Sequence, residues 1–158
     1  ITDPQEASVL SLSPVENPEE GRWTWAYSEA MYEHKAFQYW GPKEMLAVPL
    51  STYRWVDDST DGEYSWYYEY VSKAILGKGN ESTGNMLIHG EINHSSLVNS
   101  EESNHWWGGE QNIRRTIFMG DFIYAFSGAG ITVHNLETME QTDVAAFDIE
   151  KPDYYTID

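Results

Sequence analysis

The run TIFMGDFIYAFSGAGITVHN at 116–135 constrains the fold more than any other part of the chain. Three stretches rich in β-branched and aromatic residues are separated by Gly120-Asp121 and by Gly128 to Gly130, the chemistry of tight turns, so the run predicts an antiparallel meander of three strands. A fourth β-prone run, VAAFDI at 144–149, completes a unit of four. No apolar stripe of helical period and useful length interrupts this pattern elsewhere, and the fold class is all-β.

The upstream half repeats the theme with longer connections. AFQYW at 36–40 and MLAVPLS at 45–51 flank the turn signal Gly41-Pro42-Lys43 and predict a hairpin. YSWYYEYV at 64–71 and MLIHGEI at 86–92 are the next two strands, with loops expected at 51–63 and 73–85. Two four-stranded units in series are the building pattern of a β-propeller, whose compact blades take roughly 40–45 residues each. VLSLS at 9–13 reads as a single leading strand. The organisation predicted is therefore an outer strand and linker at 1–22, a penultimate blade with long loops at 23–98, and a last blade with a tail at 99–158. Two blades and one strand cannot close a ring, because each blade buries its faces only against neighbours, so the chain is expected to be part of a larger propeller. It starts at Ile1 without an initiator Met, which predicts a processed product or the ordered part of a longer chain.

Charge and composition narrow the function classes. With 26 acidic against 9 basic residues the net charge is −17, which repels nucleic-acid phosphates and anionic lipid, so no nucleic-acid partner is expected. The absence of Cys removes disulfides, thiolate zinc sites and thiol nucleophiles together. The sequence contains no apolar run long enough for a membrane span. It also lacks a nucleophile elbow, a zincin motif, a phosphate loop and a dinucleotide fingerprint.

Several segments together carry a family likeness: YSEAMYEHKAF at 27–37, MLAVPLS at 45–51, GEINHSS at 90–96 and IRRTIFMGDFIYAFSGAGITVHNLETME at 113–140. Over roughly residues 22–140 the chain resembles the family of secreted proteins with a C-terminal β-propeller distantly related to WD40 repeats. Glu33 stands where that family usually has Asp, and Ala125-Phe126-Ser127 replaces its usual Thr-x-Ser. The resemblance implies a secreted, extracellular propeller of unassigned biochemical function, and it marks His34, Lys35 and His94 as signature positions.

The polar residues admit competing readings. Glu29, Glu33, His34 and Lys35 lie among aromatic side chains in WAYSEAMYEHKAFQYW at 25–40. They are either a structural network, since buried polar groups must be paired, or a site in which carboxylate and imidazole bind a cation or act as acid and base. His89 and His94 are an odd number of residues apart, so a shared metal would need a bulge near Gly90; His105 is the third candidate ligand. Asp57, Asp58, Asp61 and Glu63 loosely resemble a calcium loop but lack the bidentate Glu of an EF-hand, and calcium is the one cofactor suggested. Arg115, in the single basic doublet, is expected to pair with a carboxylate or bind a partner. Trp106 and Trp107 offer flat faces to sugar rings or to a protein. Asn80 and Asn93 head glycosylation-type triplets. The leading expectation is an extracellular structural or interaction module completed by the rest of the propeller or by other subunits. The alternatives are a polysaccharide hydrolase or lyase using Glu29, Glu33 and His34, and a carbohydrate-binding propeller.

Overall fold

The computed structural model describes residues 26–57, 66–80, 85–97 and 110–148. Within them the regular elements are strands and single 3₁₀ turns. The strands are β1 (Ala26–Tyr27), β2 (Gln38–Trp40), β3 (Met45–Asp57), β4 (Trp66–Gly79), β5 (Met86–Asn93), β6 (Arg115–Met119), β7 (Phe122–Ser127), β8 (Gly130–Asn135) and β9 (Gln141–Ala146). They form two antiparallel sheets: β1 and β2 beside β3, then β4 and β5 in the first, and β6 to β9 in chain order in the second.

The first sheet is four strands wide with its first strand interrupted. β1 pairs with Ser51 and Thr52, while β2 pairs with Met45 to Ala47, so both lie on one edge of β3. Residues 28–37 leave the edge between them. The hairpin predicted around Gly41-Pro42-Lys43 is present as a 3₁₀ turn that ends on Glu44 in the left-handed region. The next two strands run further than expected. β3 continues to Asp57 and β4 to Gly79, where loops from 51 and from 73 were anticipated. Ser51, Thr52 and Ser72, where the expected strands end, are buried residues inside the longer ones, with Ser51 paired to Ser72.

In the second sheet the three-stranded meander forms where predicted. Gly120 takes φ 60° in the first turn, a conformation that costs glycine little. At Gly130 a Cβ would lie 2.5 Å from the Ala145 carbonyl oxygen, so β8 and β9 approach more closely than any other residue allows. β9 begins three positions earlier than expected, at Gln141, because the Asn135 amide reaches the Glu140 carbonyl at 3.0 Å and closes the preceding turn tightly.

The core lies between the sheets. Met45, Ala47, Ala74, Leu76 and Ile92 of the first meet Phe118, Ile123 and Ala125 of the second, with Ile113 and Leu136 beside them. Trp40 stacks on Phe118 across the seam, with ring centroids 6.2 Å apart and planes 15° from parallel. Opposite neighbours in a sheet share a face, so the strand registers place Thr116, Ala125 and Thr132 on the packed side of the second sheet and Ile117, Tyr124 and Val133 on its far side.

Candidate functional site

The excursion at 28–37 is held by its own side chains. Ser28 accepts from the Ala30 amide at 3.3 Å and donates to the Pro49 carbonyl at 2.5 Å, which ties the first 3₁₀ turn to β3. Glu33 caps the second turn by accepting from the Lys35 amide at 3.0 Å, and Ala36 anchors that turn in the interior. Arg115, the first residue of β6, then reaches back: Nη1 lies 3.6 Å from Glu29 Oε1 and Nη2 3.8 Å from Glu33 Oε2. The same guanidinium donates to the Arg114 carbonyl at 2.7 Å. His34 Nδ1 is 3.6 Å from Glu33 Oε1, and the imidazole is otherwise open to solvent.

Arg115, singled out in the sequence apart from the other four, thus joins Glu29 and Glu33, with His34 beside Glu33 and Lys35 contributing its backbone amide. Both carboxylates converge on one guanidinium rather than facing each other across a cleft. The Glu33 carboxyl sits below its ordinary range, first through the Lys35 amide and then through Arg115, His34 and Lys35, so it is a weak base and holds no proton to donate near neutrality. The arrangement supplies an ion-pair clamp between the excursion and the second sheet.

A second polar cluster lies inside the seam. His94, fully buried just after β5, places Nδ1 2.8 Å from Ser127 Oγ and Nε2 2.8 Å from Thr132 Oγ1. His134 places Nε2 3.0 Å from the same Thr132 hydroxyl and Nδ1 3.3 Å from the Met139 carbonyl. Burial, and secondarily the neighbouring His134, push His94 down to about 4; burial also lowers His134, against the Met139 carbonyl, which works to raise it. Beside them the Ile113 amide donates to Ser72 Oγ at 2.9 Å. Ser51 and Tyr70 both donate to Asn112 Oδ1. Burial raises the Tyr70 hydroxyl above its usual range, against those hydrogen bonds.

Two of the histidines proposed as metal ligands, His89 and His94, have other partners. A bulge is present near Gly90, since Leu76 pairs with Gly90 and Gly77 with Ile88, leaving His89 as the extra residue. It directs His89 Nε2 to the Leu136 carbonyl at 2.6 Å, away from His94. Among the described residues no group of three His, Asp or Glu could hold a metal ion. His105, Trp106, Trp107 and the acidic run at 58–63 lie outside the described residues, as does the strand expected at 9–13. Asn93 is exposed, with Oδ1 accepting from the Ser95 amide at 2.8 Å, and the Asn80 amide donates to the Asn85 carbonyl at 2.8 Å. Ser127, Thr132 and His134 were not anticipated in these roles; the available signal was the pair Thr132 and His134, two apart in β8 and therefore on one face.

Two successive antiparallel sheets, each four strands wide and packed face to face, define the chain as a β-propeller segment of two blades. The sequence model of the beta propeller domain family matches residues 2–139, and the chain belongs to that family. No curated protein and no solved structure matches it.

Proposed function

We propose that this chain is a two-blade portion of a larger, extracellular β-propeller that acts as a non-catalytic structural or interaction module, completed by an upstream segment or by another chain. The observation that carries the reading is the far face of the second blade. Ile117 and Met119 are 46% and 59% exposed there, and Tyr124, Phe126, Ile131 and Val133 beside them are half-buried. Apolar faces of this kind on a soluble protein mark a contact surface. The occupant that fits is a further blade, because the opposite face of the same sheet is covered by a sister blade presenting Met45, Ala47, Ala74, Leu76 and Ile92. Arg115, at the start of β6, and Lys35, in the second 3₁₀ turn, add charged groups for a polar rim, while Glu29 and Glu33 are engaged by Arg115.

Native mass spectrometry of the chain isolated from its source tests this. The expected result is an assembly, or a longer chain, in which the partner buries an obligate-sized surface of roughly 2,000 Å² or more. Ile117→Asp should release that partner while leaving the first sheet folded. A soluble 18.2 kDa monomer with an unaltered exchange pattern across 115–135 on dilution would refute the reading.

A further inference from the structure

The hydrogen bonds around His94 form a directed chain whose protons are set by one carbonyl. The Met139 carbonyl only accepts, so His134 must carry its proton on Nδ1 and present a bare Nε2. Thr132 therefore donates its hydroxyl proton to His134 Nε2 and receives from His94 Nε2–H. His94 Nδ1 is left as an acceptor for the Ser127 hydroxyl. All four links are satisfied only when both imidazoles are neutral, and the chain crosses the seam, from the end of the first blade to β7 and β8 of the second.

We propose that the Ser127–His94–Thr132–His134 chain is an acid-released latch between the two blades, closed near neutrality and loosened by protonation of its imidazoles. A proton on His134 Nε2 meets a Thr132 oxygen that already receives from His94, and the displaced Thr132 hydroxyl proton is left without an acceptor in a buried place. A proton on His94 Nδ1 can be met by Ser127, whose hydroxyl turns to the Gly130 carbonyl 3.3 Å away, but the cation is then buried with no carboxylate bonded to it among the described residues. Among the described residues the charged groups on the surrounding elements do not offer one, and Glu110, whose backbone lies against Gly128, is exposed. Lys73 of β4 and Glu91 of β5 pair with each other at 3.3 Å, Glu137 and Glu140 in the turn after β8 are exposed, and Asp143 of β9 sits opposite Val133 on the far face. β7 contributes Ser127, and His89 of β5 is bound to the Leu136 carbonyl.

The sign follows from the neutral form being the bound one. Each imidazole titrates lower in the folded chain than its ordinary 6.5, so the opened chain takes up more protons, and the latch weakens as pH falls from about 6.5 towards 4. A shift of His94 from 6.5 to about 4 corresponds to an increase on the order of a hundredfold in the open-to-closed ratio by the lower end of that window.

Nuclear magnetic resonance on the full 158-residue chain, with labelled imidazoles, tests the proposal directly. The expected spectra show His94 as the Nε2–H tautomer and His134 as the Nδ1–H tautomer, both titrating below 6.5. Protection of the Ile113 amide, which crosses the seam to Ser72, should fall by about a hundredfold between pH 7 and 4 after correction for intrinsic exchange. In a His94→Gln, His134→Gln double variant that pH dependence should be lost, which separates the latch from carboxylates titrating in the same range. Histidines titrating normally in the folded chain, or an unchanged pH slope in the double variant, would overturn it; if the variant does not fold, the wild-type titration alone decides.

Discussion

The seam between the two blades has two halves of opposite chemistry. One is apolar, with Met45, Leu76 and Ile92 against Phe118, Ile123 and Leu136. The other is polar, with Ser51, Ser72 and His94 against Asn112, Ser127 and Thr132. Burial in the first half is non-directional and tolerates small changes of angle between the sheets. The second half works only in one register, because each buried donor needs its particular acceptor. Apolar contact supplies the adhesion, and the hydroxyls and imidazoles set the alignment.

Truncation in the apolar half should have the largest effect. Ile123 is fully buried in the common cluster, and Ile123→Ala should destabilise the fold by about 2–5 kcal/mol through lost transfer energy and an unfilled cavity. Chemical denaturation with a constant slope would measure it; a loss below about 1 kcal/mol would mean the cluster collapses to fill the gap. Ser72→Ala probes the polar half. It leaves the Ile113 amide buried without an acceptor, and a loss of about 1–3 kcal/mol is expected. Local exchange at Ile113 should rise by more than global stability falls, since the defect lies at the seam.

Thr116→Val sharpens the contrast by moving a polar position to the other half. Thr116 is fully buried, and its hydroxyl has no hydrogen-bond partner among the described residues. A methyl of nearly the same shape removes that uncompensated group, so the variant should be more stable, by about 1 kcal/mol. A variant less stable than the parent would show that the hydroxyl is satisfied in solution, for instance by a water shared with the buried Trp40 Nε1.

Legibility in the sequence follows the same division. The apolar half and the strands that carry it are written locally: Gly120 and Gly128 punctuate the meander, and Gly41-Pro42-Lys43 turns the first hairpin. The polar half is not. Nothing local marks Ser51 and Ser72 as buried, because their burial depends on a cross-strand partner, and His94 gains its role only once β7 and β8 lie beside it. His34 and Lys35, conspicuous in the sequence, stay on the surface, whereas Glu29 and Glu33 acquire a partner from β6, far along the chain.

The smallest effect is expected at that surface partner. Arg115 is about one-third exposed on its side chain, and its contacts to Glu29 and Glu33 are long, 3.6 and 3.8 Å, so solvent screens them. Arg115→Gln should therefore cost about 0–1 kcal/mol, shrinking further at high salt. The Glu33 carboxyl separates the Arg115 contribution to its shift from the others. Because the Lys35 amide is the largest cause holding it below 4.5, and His34 and Lys35 also act in that direction, the carboxyl should stay depressed after the substitution. The depressed carboxyl contributes stability that is present above 4.5 and lost as pH falls below it, so the acid limb of the parent and of the variant should nearly coincide. If the Glu33 resonance instead returns to an ordinary titration in Arg115→Gln, the clamp rather than the cap governs the excursion. Its 3₁₀ turns would then depend on the second blade being in place, and the polar half of the seam would extend to the end of β6.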